Sequence, residues 1–161
     1  GQLEEASLRG AALLNEKGVS QDDKALVALV AAKKYCQQGR EEEAQFNLRQ
    51  VISLNKASLA AEARYELASS LFRKQQFKAA EKAAFETINK SGSYEDWVTR
   101  AYLLLGDIYF AQSDYFNAKA TYQSVKDNAS SEEFRKQAAE GVEKVERAEA
   151  DKPSSSTKSN K

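Results

Sequence analysis

One pattern of small residues recurs three times along the chain and limits what the sequence can fold into. In each copy, a small residue is followed twelve positions later by an alanine. The three pairs are Ala32 with Ala44, Ala68 with Ala80, and Gly106 with Ala118. Around each pair, apolar residues recur at intervals of three and four, the spacing of an amphipathic helix. The pattern predicts three helix pairs, with small residues where two helices approach closely.

The clearest copy spans residues 61–88, which read as two helices joined by a polar turn at Gln75 and Gln76. A helix pair of this size cannot bury its apolar faces alone, so it requires similar neighbours. The chain supplies such neighbours on both sides. We therefore predict an all-α solenoid, in which antiparallel helix pairs stack and share a continuous core.

Serine residues mark the expected starts of three helices. Ser20, Ser93 and Ser130 each precede an acidic residue by three positions, which is the spacing of a capping box. A helix is also expected over residues 2–16. A final helix, reaching about Ala150, has a thin apolar stripe of Phe134, Ala138, Val142 and Val145. Its polar remainder is typical of a helix that caps a solenoid.

Charge and residue usage exclude several functions. The 161 residues include 24 lysines and arginines and 24 aspartates and glutamates. Phosphate affinity depends on excess basic charge, so no nucleic-acid partner is expected. The longest uncharged apolar run, residues 25–32, is too short to span a bilayer.

The chain has no histidine and a single cysteine, Cys36. The most frequent general base and commonest metal ligand is therefore missing, and no internal disulfide can form. We predict no catalytic site, no metal and no cofactor. Cys36 is expected to be a small residue of the core or of a groove wall, without a lowered thiol pKa.

Residues 99–130 carry a resemblance to a known family. The segment LGDIY at residues 105–109, followed by Tyr115, Ala118 and Tyr122, resembles the tetratricopeptide repeat. The first copy departs most, since Ala31 and Ala32 replace the usual Leu-Gly. The segments AEARYELASSLF and WVTRAYLLLGDIYF also resemble repeats of large tetratricopeptide proteins of bacterial cell envelopes. That likeness implies a bacterial periplasm or cell envelope, with the cytoplasm left open.

The resemblance implies a division of the chain. Residues 1–18 would be the second helix of a truncated preceding repeat, and 19–56, 57–92 and 93–130 would be repeats. A capping helix at 131–150 and a disordered tail at 151–161 would follow. On this interpretation the natural C-terminus is present, and upstream repeats of the same chain precede residue 1.

In tetratricopeptide proteins, the first helices of the pairs line the concave face of a right-handed superhelix. The resemblance therefore implies a groove that binds a peptide or helix of a partner protein. The residues carried over to this groove are Lys33, Tyr65, Glu66, Ser69, Phe72, Arg73, Arg100, Leu103, Leu104, Asp107 and Phe110. Phe72 and Phe110 are the members best placed for exposure, because Leu71 and Tyr109 fill the contacts inside each pair.

Simpler explanations stand beside this one. The apolar groove residues fit packing between first helices equally well. Trp97 either anchors a partner or packs under the loop at residues 91–97. Arg73 and Arg100 are expected to form ion pairs with Glu62, Glu66 or Asp107. Clamping of a partner's carboxylate terminus is disfavoured because Glu66 would repel it.

Two roles follow for the chain. The first is a protein-interaction scaffold that binds a segment of a partner in the groove. The alternative is a structural spacer or oligomerisation segment of a longer multi-repeat protein, with no independent ligand. A groove with exposed apolar surface favours the first role, and a groove filled by its own side chains favours the second.

Overall fold

The structure is a computed structural model, and it describes residues 18–55 and 57–151. These residues form seven α-helices and no strand. The helices are α1 Gln21–Gln37, α2 Glu41–Leu54, α3 Ser58–Arg73, α4 Phe77–Lys90, α5 Glu95–Ala111, α6 Tyr115–Asn128 and α7 Glu132–Ala150. The predicted all-α class is confirmed. The helix expected over residues 2–16 and nearly all of the tail lie outside the described residues.

The helices form two layers. Each helix packs against the next one along the chain, and α1, α3, α5 and α7 also pack side by side in that order. Within the described residues, α2, α4 and α6 do not pack against one another. The odd-numbered layer is therefore the more closely spaced one and lies on the concave side of the stack. This arrangement is a solenoid of helix pairs.

The recurrent small residues lie where the helices cross. Ala32, Ala68, Ala44, Ala80 and Ala118 have no exposed surface, and Gly106 is also buried. The positions four and seven residues after Ala44, Ala80 and Ala118 are buried too; these are Leu48, Ala84, Tyr122, Val51, Thr87 and Val125. The Thr87 hydroxyl donates to the Ala83 carbonyl at 2.9 Å, so its polar group is satisfied inside the core.

The same turn joins the two helices of every pair. Its central residue is Gly39, Gln75 or Ser113, with φ of 70°, 57° and 60°. In each copy, the next residue donates its N–H to the carbonyl five positions earlier, at 2.9 to 3.0 Å. This is the hydrogen bond of a Schellman motif, which satisfies carbonyls left open at a helix end. Two copies keep the left-handed conformation without glycine, so the turn is a property of the repeat.

One of the three predicted capping boxes is present in part, because Ser20 caps its helix but the Asp23 carboxylate accepts from the Ser20 hydroxyl, at 2.7 Å, and not from the Ser20 backbone N–H. The Ser20 hydroxyl oxygen accepts the Asp23 N–H at 3.1 Å and caps α1. The other two predictions are wrong. The α5 cap is Tyr94, because the helix begins one residue later than Ser93 would require. Ser130 instead donates to Glu95 Oε1 at 2.8 Å, and α7 begins after Ser131.

We expect Ser20→Ala to lower the free energy of unfolding by about 1 kcal/mol, because the replacement leaves an N–H of the first helical turn without its acceptor. Ser93→Ala is the matched control, since Ser93 caps no helix, and it should leave stability unchanged. Urea unfolding followed by circular dichroism measures both. Equal losses for the two variants would contradict the assignment of the cap.

Candidate functional site

The surface over the seams between α1, α3, α5 and α7 holds most of the residues predicted for a groove. We call this surface the inner face. Its members are Lys33, Glu62, Tyr65, Glu66, Ser69, Phe72, Arg73, Trp97, Arg100, Leu103, Asp107, Phe110 and Lys144. The Phe134 ring, which is 5% exposed, contacts Arg100 but is itself part of the core. Contacts between consecutive odd-numbered helices bring these side chains together.

The aromatic residues of the inner face are partly buried and contact other rings. The centroids of the Tyr65 and Trp97 rings lie 5.6 Å apart, which joins α3 to α5. Phe72 lies 5.9 Å from Phe77, and Phe110 lies 5.5 Å from Tyr115. Phe72 and Phe110 therefore combine packing within their own helix pairs with partial exposure. The inner face is therefore neither a groove with fully exposed apolar surface nor a groove filled by its own side chains.

Leu104 does not belong to this accessible surface. It is 6% exposed and packs with Ala68, Leu71 and Ile108. It lies on the side of α5 that faces α3, so the preceding helix pair covers it. The groove assignment of Leu104 is wrong for that reason. Its neighbour Leu103 remains partly exposed and packs toward α7.

Arg100 is held between two aromatic rings. Its guanidinium carbon lies 5.6 Å from the centroid of Trp97 and 5.1 Å from that of Phe134. Rings attract a cation through their negative faces, and these two place the guanidinium between α5 and α7. No hydrogen bond or ion pair to Arg100 is formed by residues 18–55 and 57–151. Its N–H groups are available to an outside acceptor.

The expected ion pairs form with other partners. Arg73 pairs with Glu41 at 2.8 Å, Glu62 pairs with Lys33, and Asp107 pairs with Lys144 at 3.5 Å. Arg100 pairs with none of its predicted acids. The predicted ion-pair partners of Arg73 and Arg100 are wrong. Which acidic residues they contact depends on the rotation between successive helix pairs, and the spacing of residues along the chain does not give that rotation.

Arg73 organises one end of the inner face. It also donates to the Ser69 hydroxyl at 2.9 Å and to Cys36 Sγ at 3.3 Å. Partial burial acts to raise the pKa of Glu41, but hydrogen bonds from Arg73 and Ser70 outweigh it and hold that pKa below its ordinary value. Burial raises the pKa of the Cys36 thiol, with Arg73 opposing. Cys36 therefore lacks the lowered pKa of a reactive thiol.

Glu66 lies near the middle of the inner face, and its side chain is partly buried. Burial raises the pKa of its carboxyl, while Arg73, Lys33 and Arg100 act in the opposite direction. Arg73 and Lys33 are paired with other carboxylates. Glu66 accepts no hydrogen bond from the part of the chain that the structure describes.

The last helix contributes more to the inner face than its sequence indicated. The Lys144 ammonium lies 4.1 Å from the centroid of the Phe110 ring, and Phe134 lies against Arg100. The sequence predicts α7 only as a cap, with Phe134 as part of its thin apolar stripe. Gly141 follows Gly106 by 35 residues, close to the 36 and 38 residues that separate Ala32, Ala68 and Gly106, and this signal places α7 where the first helix of a further pair would lie.

The described helices hold no group of three or more potential metal-ligating side chains. None of them is both long and apolar enough to cross a bilayer. Within residues 18–55 and 57–151, the inner face presents partly exposed aromatic side chains, the unpaired guanidinium of Arg100 and the unpaired carboxylate of Glu66.

Stacked helix pairs with buried small residues define the chain as a helical-repeat protein of the solenoid class. The family model described as "Tetratricopeptide repeat-like domain" matches residues 2–145, and the chain belongs to this family. A solved structure described as "Crystal structure of MamA" is similar, with 24% sequence identity, 78% of each chain covered and a TM-score of 0.47. No match was found among curated proteins.

Proposed function

We propose that the inner face binds a peptide or helix of another protein. Tetratricopeptide-like domains serve in general as protein-interaction scaffolds and are in general not enzymes. The observation that supports binding at this face is Arg100, whose guanidinium is oriented by Trp97 and Phe134 but has no acceptor among the described residues.

An arginine held in this way is suited to recognition. Its orientation is already restricted by the rings, so little side-chain entropy remains to be lost when an acceptor arrives. Arginine, tryptophan and tyrosine are also the residues most enriched among those that dominate binding energy. The Tyr65 ring contacts the Trp97 ring next to Arg100, which completes a cluster of these three types. A carbonyl or carboxylate of the partner would accept from Arg100.

The proposal includes no catalytic step, no cofactor and no nucleic acid. Its support is the absence of histidine and the balance of 24 basic and 24 acidic residues. The unpaired carboxylate of Glu66 adds specificity, because an acidic side chain placed against it would be repelled.

Arg100→Gln tests the proposal directly. Protein captured from extract of the source cells is expected to bind roughly tenfold or more weakly to this variant than to the wild type, since loss of a central arginine contact costs about 2 kcal/mol or more. Arg49→Gln is the matched control, because Arg49 is exposed on α2 in the other layer. Its binding should equal that of the wild type.

Retention of the same partner by Arg100→Gln would contradict binding at the inner face, as would an equal loss with Arg49→Gln. Both variants are first checked by circular dichroism for wild-type helix content. Binding constants are then measured by calorimetry with the purified partner.

A second role is favoured by a different observation. Leu26 and Val30, on α1, are 50% and 61% exposed. Val30 occupies the repeat position of Leu104, which the preceding helix pair buries. We infer that this apolar edge contacts another helix pair, such as upstream repeats of the same chain, and so serves a spacer or oligomerisation role. If neither the wild type nor the two variants capture a partner, the spacer or oligomerisation role is favoured.

A further inference from the structure

A small cleft lies between α5 and α7, at one end of the inner face. Its volume is about 180 Å³, and it is lined by Leu103, Asp107, Tyr122, Gln137, Glu140, Gly141 and Lys144. Pockets for drug-sized ligands span about 300–1,000 Å³. The cleft therefore has room for one side chain rather than for a cofactor.

The floor of the cleft is rigid. The Tyr122 ring lies between Gly106 and Gly141, so close that a Cβ at either glycine would come within 2.6 Å of a ring carbon. The Tyr122 hydroxyl donates to Asp107 Oδ1 at 2.7 Å. This bond positions the Asp107 carboxylate at the cleft without help from a ligand.

The cleft has acceptors that the chain does not use. Tyr122 and Lys144 both contact Oδ1 of Asp107, the latter at 3.5 Å. Among the described residues, Oδ2 of Asp107 accepts no hydrogen bond, and the Glu140 carboxylate has neither a hydrogen bond nor an ion pair. Two carboxylates therefore line the cleft with one ammonium, which leaves a net negative charge.

We propose that this cleft receives an arginine side chain of the protein partner. This inference rests on the proposed function of the inner face. It adds the type of partner side chain that the cleft would bind. A guanidinium carries five donors in a planar fork and is weakly hydrated. It can thus donate to Asp107 Oδ2 and to Glu140 together, which a single ammonium point charge does less well.

The Lys144 ammonium does not occupy the position proposed for the partner's arginine side chain. Its ammonium lies over the Phe110 ring, 4.1 Å from the centroid, and contacts Asp107 through Oδ1. Oδ2 accepts no hydrogen bond from the described residues and can accept one from the incoming guanidinium. The Gln137 amide, also at the rim, adds a carbonyl acceptor.

The test uses N-acetyl-arginine amide as the probe and N-acetyl-citrulline amide as an uncharged analogue of similar shape. Each is titrated into the full 161-residue chain labelled with ¹⁵N. The arginine probe should shift the backbone signals of Gly106, Asp107 and Gly141 saturably, and citrulline should not. Glu140→Gln should weaken the arginine probe about two- to fivefold, as expected for an exposed charge pair.

Glu143→Gln is the matched control, because Glu143 is exposed on the same helix and pairs with Arg147 outside the cleft. It should bind the probe as the wild type does. The inference is overturned if the arginine probe gives no saturable shift, if citrulline gives the same shift, or if Glu140→Gln binds the probe unchanged.

Failure of this inference can be told apart from failure of the proposed function. A purified partner that is weakened by Arg100→Gln but unaffected by Glu140→Gln would leave binding at the inner face intact and overturn the cleft assignment. Saturable binding of the arginine probe, with no effect of Arg100→Gln on the partner, would support the cleft and contradict the wider surface.

Discussion

Gly141→Ala is expected to lower the free energy of unfolding by about 1–2 kcal/mol. The added Cβ would come within 2.6 Å of the Tyr122 ring, and Gly106 blocks the ring on its other side at the same distance. Overpacking of this kind costs about 1–3 kcal/mol, while alanine in place of a helical glycine returns about 1 kcal/mol. The steric cost is the larger because the ring, tied to Asp107 by its hydroxyl, cannot move away.

Urea unfolding in a Tyr122→Leu background separates the two contributions. Once the ring is removed, Gly141→Ala should stabilise the protein by up to about 1 kcal/mol, because only the helix preference of alanine remains. Gly92→Ala is a further control, since a Cβ there meets nothing within 4 Å. A loss of stability that is equal in both backgrounds would show that the ring is not the cause.

Ala80→Leu should lower the free energy of unfolding by about 1–3 kcal/mol, because three added carbons must enter a filled helix crossing. Ala80 has no exposed surface and packs with Ala68 and Ala84. Leucine and alanine both favour helix, so the effect is one of packing. Thermal unfolding measures it, at roughly 2–4 °C for each kcal/mol in a chain of this size.

Ala79→Leu is the matched control for this substitution. Ala79 is the neighbouring residue of α4, and its side chain is exposed, so leucine there should change the melting temperature little. An unchanged melting temperature for Ala80→Leu itself would contradict the alignment of the three copies on their small residues.

The fold could be predicted from the sequence because its main determinant is periodic. Small residues twelve positions apart mark the crossing within each pair, and all of those positions are buried in the structure. The helix boundaries follow from the same repeat and from the turns at Gly39, Gln75 and Ser113. Such local and repeated features require no knowledge of how the pairs are rotated.

The candidate site was less predictable because it depends on that rotation. Leu104 and Phe110 both lie on α5, yet only Leu104 faces α3 closely enough to be buried. Arg100 contacts Phe134, a residue of a helix that the sequence presents as a cap. Periodicity within one helix identifies a face, but it does not identify what lies opposite that face.

The fluorescence of Trp97 can report binding at the inner face. It is the only tryptophan in the sequence, and it lies on the inner face between Tyr65 and Arg100. Asp107 is ten residues further along α5, about 15 Å away at the rise of an α-helix. Emission from Trp97 therefore responds to an occupant beside Arg100 but not to one confined to the cleft, so a single fluorescence titration distinguishes the two.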